Sequence, residues 1–203
     1  MNAAVAKALM SENMIGSEHF TGPEDDGIDL HANYFELFAR PVSYPVERSA
    51  IQPRYLELQR LVHPDRFAAH GEQGQRLAMQ YATFVNEAFE TLCSPLKSAA
   101  YLLELGGHPL DAERNTVMDT AFLMEQLSLR EELSEVLGST DPESAIEELR
   151  ERAEALMTNL QTEFLDCWQA ESFVQAQECV RKMYFAEKLL AEVEQLEEAI
   201  FDN

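Results

Sequence analysis

Apolar residues recur at intervals of three and four along almost the whole chain, and no stretch alternates apolar with polar between hairpin signals. The pattern predicts an all-α fold. Tyr34, Phe35, Leu37 and Phe38 form a short aromatic cluster ahead of Pro41 and Pro45, after which Tyr55, Leu58, Leu61 and Val62 repeat at helical spacing. Where that helix starts is left open, because Pro53 suits a first turn but removes a hydrogen bond if the helix begins near Ser49. It stops at Val62, since Pro64 disfavours helical geometry in the residue before it. His63-Pro64-Asp65-Arg66-Phe67 then reads as a loop. A second helix presents Leu77, Tyr81, Phe84, Val85, Ala88, Phe89 and Leu92, a stripe that closes on the first helix as an αα-hairpin. Pro95 breaks it, and Ala99, Ala100, Leu102, Leu103 and Leu105 predict one further short helix.

Beyond residue 106 the periodicity predicts three longer helices: one across roughly 117–137 closed by Gly138, one opening at Asp141-Pro142-Glu143, and one opening at Ser172-Phe173-Val174-Gln175. Asp141 reads as an N-cap with proline in the first helical position, and Ser172 with Gln175 as a capping box. Short connections between long helices imply antiparallel neighbours, hence a three-helix bundle. At about 100° per residue, the first of these helices carries two apolar groups. Phe122, Leu129, Leu133, Val136 and Leu137 form a core stripe. Leu123, Met124 and Leu127 lie on another side with Glu131 and Glu135, either as a partner surface or as a second packing stripe. On the last helix Val180, Met183, Tyr184, Leu190, Val193 and Leu196 are expected core positions, with Phe185 turned about 100° away from Tyr184 and so towards the surface.

Charge divides the chain further. Its 203 residues carry 15 Lys and Arg against 37 Asp and Glu, net −22, which excludes a basic nucleic-acid module. Residues 1–32 hold one cation and six acids, residues 33–105 seven cations and eight acids, and residues 106–203 seven cations and 23 acids. Turn-rich runs, Gly22-Pro23-Glu24-Asp25-Asp26-Gly27 and Gly106-Gly107-His108-Pro109, mark the same borders. The expected organisation is therefore an acidic, mobile tail over residues 1–32, a nearly neutral unit over 33–105 and an acidic bundle over 106–203. Cys93, Cys167 and Cys179 form no CxxC pair, so neither a disulfide framework nor a zinc knuckle is indicated, and a reducing compartment such as the cytoplasm fits best. No apolar run approaches the ~20 residues of a membrane span, and the acidic first residues read as neither secretory signal nor transit peptide. No cofactor or metal site is expected, nor a nucleic-acid or membrane partner.

The candidate chemistry sits at the hairpin tip. His63-Pro64-Asp65 combines a rigid turn, a titratable ring and a carboxylate beside Arg54 and Arg60, with Glu57 between them, which suits an exposed docking tip. The tripeptide arises by chance about once in a hundred chains of this composition. An acid–base dyad is the enzymatic alternative. Pro64 holds both groups on a tight turn, and no phosphate loop, metal-ligand pair or pocket-forming motif accompanies them, so this alternative is disfavoured.

Residues 33–105 resemble a J domain, the co-chaperone module that stimulates a DnaK-type ATPase. The resemblance rests on Asn33-Tyr34-Phe35-Glu36-Leu37-Phe38, on the run from Tyr55 through His63-Pro64-Asp65-Arg66-Phe67, and on Val85-Asn86-Glu87-Ala88-Phe89-Glu90-Thr91-Leu92. It implies that His63, Pro64 and Asp65 contact the ATPase, with Arg54, Arg60 and Arg66 as electrostatic contacts. Arg66 stands where many J domains carry Lys.

Asp119-Thr120-Ala121-Phe122-Leu123-Met124-Glu125-Gln126-Leu127 followed by Leu129-Arg130-Glu131-Glu132-Leu133 is similar to the HscB family, J-domain co-chaperones of iron-sulfur cluster assembly. That resemblance covers residues 33–203, and a Cys-free amino-terminal segment is similar to the bacterial type. It implies an HscA-like DnaK-type chaperone and an IscU-like iron-sulfur scaffold as partners, with Leu123, Met124, Leu127, Glu131, Glu135 and Phe185 as the scaffold-binding patch. Ser128 departs from the family, which is expected to carry an acid there. The function implied is stimulation of the chaperone's ATPase and delivery of the scaffold to it, by a protein that is not itself an enzyme. A general J-domain co-chaperone for unfolded clients is the alternative.

Overall fold

The computed structural model describes residues 28–67, 71–110 and 120–201. Nearly all of the expected acidic tail, Asp119 and the expected helical start at 117–119 lie outside them. The described residues are all-α, with no strand. In chain order the helices are α1 (Tyr34–Leu37), α2 (Arg48–Leu61), α3 (Pro64–Phe67), α4 (Gly71–Cys93), α5 (Pro95–Leu105), α6 (Thr120–Glu135), α7 (Pro142–Gln169) and α8 (Phe173–Phe201), with a 3-10 turn at Val136–Gly138. Internal contacts divide the chain into two compact units, Met1–Leu102 and Leu103–Asn203.

In the first unit, Asn33 opens α1 with a capping box: its side chain accepts from the Glu36 N–H, and the Glu36 carboxylate accepts from the Asn33 N–H. Helix α2 begins at Arg48, so Pro53 stands inside it. The ring removes one helical donor near the start of a 14-residue helix. Packing supplies the compensation. Ile51, Leu58 and Val62 are buried together with Val85, Ala88, Phe89 and Leu92 of α4. Tyr55 stacks on Phe89 at 3.9 Å between ring centroids. Its hydroxyl donates to Asn86 Oδ1 at 2.9 Å and accepts from Gln59 Nε2 at 2.6 Å, pinning α2 to α4. At the other end of the unit, Tyr34 stacks on Tyr101 at 4.3 Å, and the Tyr101 hydroxyl accepts from the Tyr34 N–H at 2.9 Å.

Helix α5 ends in a Schellman motif. The Gly107 N–H donates to Glu104 O and the His108 N–H to Leu103 O, with Gly107 at φ +76°, a conformation that favours glycine.

In the second unit, α7 and α8 form a long antiparallel pair joined by residues 170–172. Asp141 caps α7 through the Ser144 N–H, with Pro142 in the first turn as expected. The seam on α7 is Ile146, Leu149, Ala153, Leu160, Phe164 and Trp168; on α8 it is Ala176, Cys179, Val180, Met183, Ala186, Leu189 and Val193. Small residues at Ala153, Ala176, Cys179 and Ala186 let the helix axes approach. The same Schellman pattern closes α7, here with Glu171 at φ +58°, where a side chain is strained.

Two expected core positions are exposed. Leu137 is 65% exposed because the last turn tightens from α to 3-10 at Val136–Gly138, so a 100° wheel carried through that turn misplaces it. Tyr184 is 52% exposed because the α8 seam steps from Val180 through Met183 to Ala186, which leaves Tyr184 outside it.

Candidate functional site

The first candidate surface is the segment between α2 and α4. Val62 closes α2 by donating its N–H to Leu58 O at 3.0 Å, and the chain leaves the helix at His63. Sequence reading expects a loop from there to Phe67. The structure instead folds Pro64–Phe67 into one helical turn, with Pro64 at its first position, where a missing N–H costs nothing. His63 O accepts from the Arg66 N–H at 3.0 Å.

His63 and Asp65 face outward, 59% and 91% exposed. The Asp65 N–H donates to His63 Nδ1 at 3.3 Å. In the neutral ring that bond leaves Nε2–H as the outward donor. On protonation, Nδ1 would face Asp65 Oδ2 at 3.5 Å. The turn thus holds imidazole and carboxylate side by side without burying either.

Arg66 folds back over the end of α2, donating to Leu61 O at 3.3 Å, a carbonyl left without a helical partner. Arg60 is exposed in the last turn of α2. Arg54 is engaged within its own helix, 3.1 Å from Glu57 Oε2. The Asn86–Tyr55–Gln59 bonds, which sequence reading missed, hold the base of this tip. Tyr55 and Asn86 both lie in the motif, but a spacing of 31 residues says nothing about their contact.

The second candidate surface lies on α6. Leu123, Met124 and Leu127 are 46%, 66% and 55% exposed, and Glu131 and Glu135 are exposed one and two turns further on. Steps of four residues carry Leu123, Leu127, Glu131 and Glu135 around one side as a slowly drifting stripe. The opposite side is core: Phe122 and Leu129 are buried, and Leu133 packs against the cluster of Leu129, Val136, Ile146 and Leu189.

Phe185 is half-buried rather than turned outward. Its ring meets Phe122 edge to face at 5.9 Å, and the Arg130 guanidinium lies 5.3 Å above it while also pairing with Glu192 at 3.8 Å. Lys182 sits 5.1 Å from the Phe122 ring. Arg130 and Lys182 therefore hold the two rings beside the stripe, a role no periodicity reveals. Ser128, where an acid is expected, donates to Glu132 Oε1 at 3.1 Å. Glu132 is ion-paired with Arg152 on α7. The Arg152 hydrogen bonds hold its carboxyl below the usual range, and Ser128 acts in the same direction.

A shallow groove of about 530 Å³ on this unit is lined by Arg130, Leu133, Leu137, Glu192 and Leu196. His63 and Asp65 belong to the other unit.

The family model of the HSCB C-terminal oligomerisation domain matches residues 118–199. A co-chaperone protein HscB homolog from Shewanella halifaxensis (strain HAW-EB4) is 43% identical over 173 residues, 84% of this chain and 99% of that protein. The chain belongs to the HscB family. Chaperone HscB from Vibrio cholerae matches in structure with a TM-score of 0.73 at 34% identity, over 83% of this chain and 99% of its own. Human co-chaperone protein HscB gives a TM-score of 0.74 at 27% identity, over 89% and 91%. This HscB-family chain is thus an all-α co-chaperone, as its sequence leads one to expect. Among the described residues no helix is long and apolar enough to cross a membrane.

Proposed function

We propose that this chain is an adaptor that couples an IscU-like iron-sulfur scaffold to an HscA-like DnaK-type chaperone. Its first unit acts as a J domain: His63, Pro64 and Asp65, with Arg60 and Arg66 beside them and Arg54 further back on α2, engage the ATP-bound chaperone and stimulate hydrolysis. Its second unit presents the scaffold through Leu123, Met124, Leu127, Glu131, Glu135 and Phe185. Hydrolysis then locks the chaperone onto the scaffold and favours cluster transfer to acceptors. The chain itself turns nothing over, binds no cofactor and works in the cytoplasm.

The observation that carries this reading is the coexistence of an exposed His63/Asp65 turn with three exposed aliphatic side chains on α6, in a member of a co-chaperone family. Each surface alone needs only modest affinity, because two sites on one chain raise the effective concentration of each partner for the other. Exposed ion pairs contribute only about 0–1 kcal/mol each. Leu123, Met124, Leu127 and Phe185 therefore supply most of the scaffold affinity, while the acidic charge of the second unit speeds encounter with a cationic partner surface.

The test is competitive capture on the immobilised chain of purified scaffold against a reduced, unfolded polypeptide. Selective retention of scaffold supports the adaptor. Equal retention of both identifies a general J-domain co-chaperone. A concentration-dependent dimer that scaffold cannot displace assigns the α6 stripe to self-association.

A further inference from the structure

None of the three cysteines is bridged, and their spacing in sequence pairs none of them. The helical hairpin nevertheless brings two together. Cys179 lies in the α8 seam, 5% exposed, and its thiol lies beside that of Cys167, which is half-buried on α7. Glu163, one turn before Cys167 on α7, places Oε2 3.8 Å from Cys179 Sγ. A reachable thiol, a sequestered thiol and a carboxylate thus share one spot at the closed end of the hairpin.

We propose that Cys167 and Cys179 are a peroxide-oxidised thiol pair, with Cys167 the oxidised residue, Cys179 the resolving one and Glu163 its base. In the first step the Cys167 sulfur attacks a hydroperoxide, the O–O bond breaks, and the alcohol or water leaves with the thiol proton. Cys167 becomes a sulfenic acid. In the second, the Cys179 sulfur attacks the Cys167 sulfur and the S–O bond breaks. The Cys179 proton passes through Glu163 to the departing hydroxide, giving a disulfide and water. Both electrons pass to the peroxide in the first step, the second only shares the oxidation between the two sulfurs, and a dithiol reductant reverses the bridge.

Burial pushes the Cys179 thiol up to about 12, with Cys167 and Glu163 acting in the same direction. At neutral pH it is almost wholly protonated and needs an acceptor before it can attack. Glu163 is the group within reach. Cys93, in the other unit, has no part in this pair and serves as an internal control.

The full-length protein carries its own readout, because no Lys or Arg separates the two cysteines. The tryptic peptide Ala153–Arg181 holds both, and Leu77–Lys97 holds Cys93. After hydrogen peroxide, blocking of free thiols and digestion, Ala153–Arg181 should lose two hydrogens and take up no alkyl group, while Leu77–Lys97 still takes one. Cys179→Ser, nearly isosteric, should leave a sulfenic acid on Cys167 that dimedone traps. Glu163→Gln should slow bridging by at least about tenfold and lengthen the life of that acid. Two alkyl groups on Ala153–Arg181 after peroxide, bridging only between chains, or unchanged bridging in Glu163→Gln would overturn the proposal.

Discussion

Replacing Leu123, Met124 and Leu127 together by alanine separates a docking surface from a core stripe. Each substitution removes three heavy atoms, about 2.4 kcal/mol of transfer free energy if fully buried at ~0.8 kcal/mol per methylene. Docking can newly cover only the exposed part, 46%, 66% and 55% respectively. The contributions are then about 1.1–1.6 kcal/mol each and about 4 kcal/mol together, an upper bound because ordering at an interface offsets part of it. The expected loss of scaffold affinity is therefore about 2–4 kcal/mol, roughly 30- to 1,000-fold in Kd. The fold should hardly notice, since exposed substitutions usually cost within about 0.5 kcal/mol. Phe122→Ala, on the buried side of the same helix and only 6% exposed, should do the reverse and cost about 3–5 kcal/mol of stability. Calorimetric titration with scaffold, beside thermal unfolding of each variant, measures both quantities. A triple variant that melts many degrees early yet binds scaffold normally would refute the assignment of these side chains to a partner.

Other expectations are independent of the partner. Tyr55→Phe keeps the stack on Phe89 but loses the bonds to Asn86 and Gln59, both reachable by water, so it should cost about 1 kcal/mol in denaturant unfolding. Because the Glu132 carboxyl is held low by Arg152, its contribution is complete above the unfolded value near 4.5 and is lost as pH falls through the lower folded value. Arg152→Gln should flatten that acid limb by at most about 1 kcal/mol, the scale of an exposed pair, which unfolding measured across pH will show. Glu171→Gly should raise stability by about 0.5–1 kcal/mol in the same assay, by relieving the left-handed backbone that ends α7.

Local signals in the chain proved legible wherever one residue type has one local job. Asp141 with Pro142 marks the start of α7, and the step of three and four separates Phe122 and Leu129 from Leu123 and Leu127. The wheel fails where its premise fails: Leu137 falls in a 3-10 turn, and Tyr184 is one step off a seam whose register only the α7 partner sets. Pro53 left the start of α2 open because a single lost hydrogen bond is outweighed by packing on α4, which propensity does not see. Contacts between elements were invisible altogether. Tyr55 with Asn86, Phe185 beneath Arg130, and Cys167 against Cys179 depend on which helix faces meet.

The central claim, that the His63 turn faces a chaperone and drives its ATPase, is tested most directly by steady-state ATP hydrolysis of the DnaK-type partner. Wild-type chain and His63→Gln are titrated with and without scaffold. The account predicts no hydrolysis by the chain alone, stimulation of the chaperone by the wild type that rises further with scaffold, and loss of at least about tenfold of that stimulation in His63→Gln with scaffold binding unchanged. Equal stimulation by the variant and the wild type would contradict it.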